Sequence, residues 1–176
     1  MKNIYFSKFL YLNFLLFSSF LYSQVIPEDD IIPVCDSQSM TLGAPGNSGI
    51  YNLTIPCNTG QPLSPYMDFY YVRIQSGATF TFLVDPVGND DYDFGAWLNP
   101  NWNNINATPA ANKRGSQNDP TVTGQYNLGL TLTATDLCET GGSTGYPEPG
   151  MVRYFDVQPG DEILIAIDRW SSTSLG

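Results

Sequence analysis

The chain has no histidine, only 7 lysines and arginines against 17 aspartates and glutamates, and three cysteines in 176 residues. Each shortage removes a class of chemistry. Without imidazole there is no Ser-His-Asp or Cys-His nucleophile system, no HExxH zinc helix and no histidine switch near neutral pH. Two of the seven cations, Lys2 and Lys8, fall in a leader, leaving five against all 17 acids, a net charge of −12, from Gln24 onward. Nucleic acid is bound through a Lys/Arg footprint that this balance cannot supply, and docking on anionic lipid is disfavoured for the same reason. Zinc is a poor fit too, because there is no CxxC spacing and no histidine to complete four ligands.

Long apolar runs are absent outside the first 23 residues. There, Lys2 and Lys8 form a positive start and Phe9 to Leu21 an apolar run of 13, with cleavage expected near Ser23–Gln24. The segment reads as a secretory signal peptide. As a membrane anchor it is too short for roughly 30 Å of hydrocarbon, and Asn13, Ser18 and Ser19 interrupt it. A lipoprotein would need a cysteine at the cleavage point, whereas the nearest is Cys35. The part from Gln24 is therefore expected to be exported, secreted or at the cell surface, without an integral membrane segment.

Export permits disulfides. Cys35, Cys57 and Cys138 allow three single pairings. Cys35–Cys57 closes the shorter loop and is the expected bridge, leaving Cys138 free or paired beyond the end of this sequence.

Residues 24–48 are polar and rich in proline, an extended lead-in. Short alternating segments follow, with no 3.6-residue period. Tyr51, Leu53 and Ile55 alternate with polar residues. Phe69–Gln75 and Thr79–Val84 flank Ser76-Gly77 and predict a hairpin. Tyr92–Leu98 is a further strand, 99–120 an irregular Asn-rich loop, and Tyr126–Leu132 another alternating run. Met151–Val157 and Glu162–Asp168 flank the turn Gln158-Pro-Gly-Asp161. Ile163–Ile167 is apolar at every position, which suits a strand covered on both faces. The pattern predicts one all-β domain over 49–176, a two-layer antiparallel β-sandwich. The turn-like end, Trp170–Gly176, suggests a fragment lacking its last strand.

Three segments carry a family resemblance: Asn89–Phe94 (NDDYDF), Met151–Gly160 (MVRYFDVQPG) and Ile163–Trp170 (ILIAIDRW). They resemble the jelly-roll-like N-terminal modules of large secreted surface proteins of Bacteroidota, associated with gliding motility or type IX secretion. They are also distantly similar to bacterial pre-peptidase C-terminal domains, which share the order of F-x-F hairpin, D-x-D strand and PG turn. Phe80-Thr-Phe82, Asp91-Tyr-Asp-Phe94 and Pro159-Gly160 with Ile165-Ala-Ile167-Asp168 stand for these elements. The resemblance covers roughly residues 66–170 and implies a jelly-roll-like module that binds, spaces or presents its neighbours without catalysis. The Asn-rich insertion and the missing final strand and sorting domain depart from it, so the export route rests on the family alone.

The acids are the first candidate site. Asp90, Asp91 and Asp93 cluster at the start of one strand, Asp136 and Glu139 follow another, and Asp168 ends a third. If the 92–98 strand runs antiparallel to both 126–133 and 162–168, all six gather at one rim. Carboxylates in loops suit calcium, which takes six to eight oxygen ligands, although no EF-hand spacing is present. The plainer reading is that these side chains are solvated or cap turns. A glycosidase pair would need two acids at a set separation, one with a raised pKa, and 17 acids offer many spurious pairs.

Aromatics are the second. Trp97, Trp102, Trp170 and Tyr146 lie in or near loops and could stack on sugar rings. Trp97 has the opposite parity to Tyr92, Phe94, Ala96 and Leu98, and packing competes with ligand contact there. Trp102, among asparagines, is the better contact. The expected function is a non-catalytic extracellular binding or spacer module of a cell-surface adhesion or motility-associated protein, with a glycan or surface protein as partner. The alternatives are a carbohydrate-binding module accessory to a secreted enzyme, and a small secreted hydrolase.

Overall fold

The computed structural model describes residues 26, 30–35, 51, 53–56, 66–140 and 147–170. The expected leader, Cys57 and Tyr146 lie outside them. The described chain is all-β and sandwich-like. Its strands are β1 (Ile31–Val34), β2 (Met67–Arg73), β3 (Thr79–Phe80), β4 (Phe82–Val84), β5 (Asp91–Leu98), β6 (Lys113–Gln117), β7 (Leu128–Thr131), β8 (Cys138–Glu139), β9 (Met151–Arg153), β10 (Phe155–Asp156) and β11 (Glu162–Trp170). Helical structure in these residues amounts to one turn at Pro120–Thr123, two 3-10 turns, Ile105–Ala107 and Ala110–Asn112, and a 3-10 residue at Asp30.

Six strands form a large sheet in the order β1-β2-β11-β5-β6-β8; β4-β7-β9 and β10-β3 form two smaller sheets. β11 lies between β2 and β5, antiparallel to both, with Ile165 opposite Tyr70 on one side and Ala96 on the other. Ile163, Ile165 and Ile167 face inward with Tyr70, Phe94 and Ala96, and pack on Leu128, Leu130, Val152 and Phe155 of the smaller sheets. Leu164 and Ala166 face outward with Met67, Phe69 and Trp97, beneath Ile26, Leu53, Ile55 and Ile105. The uninterrupted apolar run is thus explained by a strand with a core on each face. Each such aliphatic side chain contributes about 1.5–3 kcal/mol by leaving water.

Four expectations change. The lead-in is not merely extended: Ile31–Val34 pairs parallel with β2, and Ile26 is buried in the outer core. The 51–55 run supplies buried Leu53 and Ile55 but only an isolated bridge at Thr54. No hairpin joins 69–75 to 79–84, because both edges of β2 are occupied, by β1 and β11. The later segment divides at Thr81, β3 pairing with β10 and β4 with β7. Finally, the 99–120 stretch contains β6, whose sequence KRGSQ has no apolar residue to betray it.

The turn at 158–161 forms as expected. Gly160 takes a left-handed φ of 96°, and Asp161 accepts from the Gln158 amide at 2.8 Å through Oδ2. Its backbone is then tied to the end of β2 by Ile74 N–H to Asp161 O and Gly160 N–H to Ile74 O, both 2.8 Å.

Candidate functional site

The outer face of the large sheet carries both candidate groups, one at each end of β11. Along β11 they are six residues apart, Glu162 to Asp168, or about 20 Å at ~3.3 Å per residue.

At the far end the cross-strand register sets Asp93 opposite Asp168 and also opposite Gln117. Asp91, two residues from Asp93, shares its face. Burial, then Asp91, Asp168 and Asp119, push the Asp93 carboxyl up to about 8. Asp91 is pushed up to about 6 by burial and by the charges of Asp119 and Asp168. Its Oδ1 is buried without a hydrogen-bond partner. Asp119 was not anticipated here. Its own task is local: Oδ1 caps the helical turn by accepting from Thr121 N–H at 2.9 Å, and the Thr121 hydroxyl and amide hold its carboxyl below the ordinary range. Its nearness to Asp91 depends on the tertiary fold.

The other expected acids are elsewhere. Asp90 bonds Arg169 at 2.9 Å. Glu139 pairs with Ser116 in register, and Ser116 lies opposite Phe94, which puts Glu139 on the inward face. There Oε2 accepts from the Ser116 hydroxyl at 2.9 Å and Gly150 N–H at 2.6 Å. Burial raises its pKa against those two bonds. Asp136 is exposed before β8. So Asp91, Asp93 and Asp168 come together, joined by Asp119, while Asp90, Asp136 and Glu139 do not. The expected six-acid rim fails because 126–133 lies in the other sheet. Among the described residues no group of three or more Asp, Glu, His or Cys side chains is placed to hold a metal ion.

The aromatics divide similarly. Trp97 is 0 % exposed, and it belongs to the outer core rather than to a ligand surface. Its ring crosses Gly95, where a Cβ would sit 2.6 Å from Trp97 Cη2 and 2.9 Å from Pro56 Cδ. Trp170 is 49 % exposed at the acidic end. Trp102 is exposed and organised. Its indole N–H donates to Glu162 Oε2 at 3.1 Å, and the Tyr71 hydroxyl donates to Oε1 of the same carboxylate at 2.9 Å. The two rings stand 6.0 Å apart, tilted by 54°. Burial and the Glu162 contact raise the Tyr71 pKa, which keeps its hydroxyl a donor.

The loop bearing Trp102 is fixed from both ends. Asn99, at a left-handed φ of 48°, donates its amide to Asp161 Oδ1 at 2.9 Å and accepts from Glu162 N–H at 3.0 Å. Asn101 N–H donates to the Thr108 hydroxyl at 3.0 Å. Asn106 accepts from Thr54 N–H and hydroxyl, each at 3.2 Å, clipping 53–56 to the loop. Tyr71 and Glu162 were missed in sequence because only the β2–β11 register makes them neighbours.

The cysteine expectation is reversed. Cys35 is a free, exposed thiol, and Cys138 is disulfide-bonded. Cys57 lies outside the described residues. The Pro56 carbonyl lies 3.0 Å from where a Cβ on Gly115 would be, and Gly115 faces Cys138 across the ladder. Cys138 lies on β8, five strand spacings of about 4.8 Å from β1, far beyond the ~7 Å over which it could pair with Cys35. Among the described residues no helix is long and apolar enough to cross a membrane.

Compared with protein-family models, curated proteins and solved structures, the chain matches none.

Proposed function

We propose that this chain is a non-catalytic extracellular binding or spacer module, part of a cell-surface adhesion or motility-associated protein. The observation that carries the reading is Trp102, an indole held at the surface by a carboxylate rather than by burial. A rigid, exposed aromatic on a fixed loop is a contact group, and loops on rigid scaffolds are where binding residues collect. The disulfide at Cys138 supports an oxidising compartment, and the secretory leader read from the sequence agrees with it.

The acids with raised pKa invite a hydrolase reading, since paired carboxylates with separated pKa values mark acid–base sites. Their surroundings favour the plainer one. Asp93 is only 7 % exposed, and a general acid must reach the atom that it protonates. Burial and mutual repulsion account for both shifts.

The test uses intact cells expressing the full-length protein. Added protease is expected to remove it without lysis, and non-reducing electrophoresis to show faster migration than the reduced form. A protein protected until the cells are broken overturns the reading.

A further inference from the structure

We propose that Trp102 and Tyr71, with the Glu162 carboxylate joining their polar edges, form the contact platform for a neutral glycan. This rests on the binding-module reading above and names its ligand class and residues.

Four observations carry it. First, the polar edges of both rings are satisfied internally by one carboxylate, which sets the rings without ligand and leaves stacking to their faces. Sugar rings present C–H faces that pack on such aromatic faces. Because the pair is already held, little ordering entropy is lost on binding. Second, Glu162 has about four acceptor sites as a carboxylate, and only one bond to each oxygen is made in this pair. Acceptor capacity therefore remains for ligand hydroxyls.

Third, the surroundings are amide-rich. Asn99 and Asn101 hold the loop, while Asn103 and Asn104 are exposed beside Trp102. Amide side chains donate and accept, which matches the mixed demands of hydroxyls; protein interfaces instead centre on apolar cores with hot-spot anchors. Fourth, a formal net charge of −10, with Glu162 at the centre of the pair, repels uronic or sulfated polymers and selects uncharged sugars. Trp97, on the same sheet face, shows what a packing tryptophan looks like here: it is fully enclosed in the outer core, whereas Trp102 is 36 % exposed.

Isothermal titration calorimetry of the full chain with cellohexaose, xylohexaose, mannohexaose and chitohexaose tests the assignment. At least one is expected to bind with millimolar or tighter affinity. Trp102→Ala should weaken it by about tenfold or more, a loss of about 1.4 kcal/mol. Trp102→Phe, which keeps a face but loses the indole N–H, should fall between. Should Trp102→Ala melt early, Trp102→Phe against wild type supplies the comparison. Binding unchanged in both variants overturns the platform while leaving a binding module. Failure of all four sugars overturns the glycan class. Shortened sugars in the cell, detected by mass spectrometry, overturn the non-catalytic reading on which the proposal rests.

Discussion

Asp93 and Asp168 face each other on neighbouring antiparallel strands, two carboxylates in cross-strand register at the buried end of the outer sheet face. Like charges directly opposite destabilise a sheet, and burial, with Asp91 and Asp168 beside it, pushes the Asp93 carboxyl up to about 8.

Ionising Asp93 and Asp91 opposes folding, since their folded pKa values of about 8 and about 6 exceed the ordinary 3.8. Between those limits the native state binds more protons than the unfolded one, so stability falls as pH rises. Stability should decline from about pH 4 to pH 8 and level off above it. Asp93→Asn should raise the melting temperature at pH 8 by about 10 °C or more and leave it nearly unchanged at pH 4. Thermal melts of both proteins across that range check this. An Asn variant no more stable at pH 8 than wild type contradicts it.

Arg114 is a buried cation satisfied by carbonyls. Nε donates to Arg153 O at 2.9 Å, Nη1 to Lys113 O at 2.7 Å and Ala111 O at 3.0 Å, and the guanidinium lies 4.6 Å from the Phe155 ring centroid. It joins β6 to the end of β9 and the Tyr154 carbonyl after it. Lysine cannot reproduce this fork. Arg114→Lys should cost about 2–4 kcal/mol, read from urea unfolding. A change within error would mean that the carbonyls find other donors.

The thiols give a direct chemical count. Alkylation of the unreduced, unfolded protein should label Cys35 alone. Cys138→Ser should lose about 2–4 kcal/mol, whereas Cys35→Ser should leave the unfolding curve in place. Peptide mapping that finds Cys35 bridged would refute the assignment.

Gly95 is required by the Trp97 ring that lies across it. Gly95→Val puts atoms within 2.6 Å of Trp97 Cη2 and 2.9 Å of Pro56 Cδ, both packed and neither free to retreat. A loss of about 1–3 kcal/mol is expected. Near-ultraviolet circular dichroism should register the displaced indole, and an unaltered spectrum with unaltered stability would show that the ring is elsewhere.

Period-2 alternation, turn residues and the apolar run 163–167 determined the all-β class, β5, β11, the 158–161 turn and the two-faced burial of the central strand. These are local properties, set by side-chain parity and by the backbone limits of Pro and Gly. Tertiary structure alone decided which segments became neighbours. β6 has no apolar signature and exists because Gly115 admits Pro56 and Arg114 finds buried carbonyls. Cys138 is bridged and Cys35 is free, an outcome that loop length does not encode. Trp102 could be picked out from its asparagines, but Tyr71 and Glu162 are 31 and 60 residues away from it in the sequence. Only the register of β2 on β11 turns a lone surface indole into an oriented pair. Parity is written along one strand; adjacency is a property of which strands meet, and this long-range pairing is decided by the packing of the whole chain.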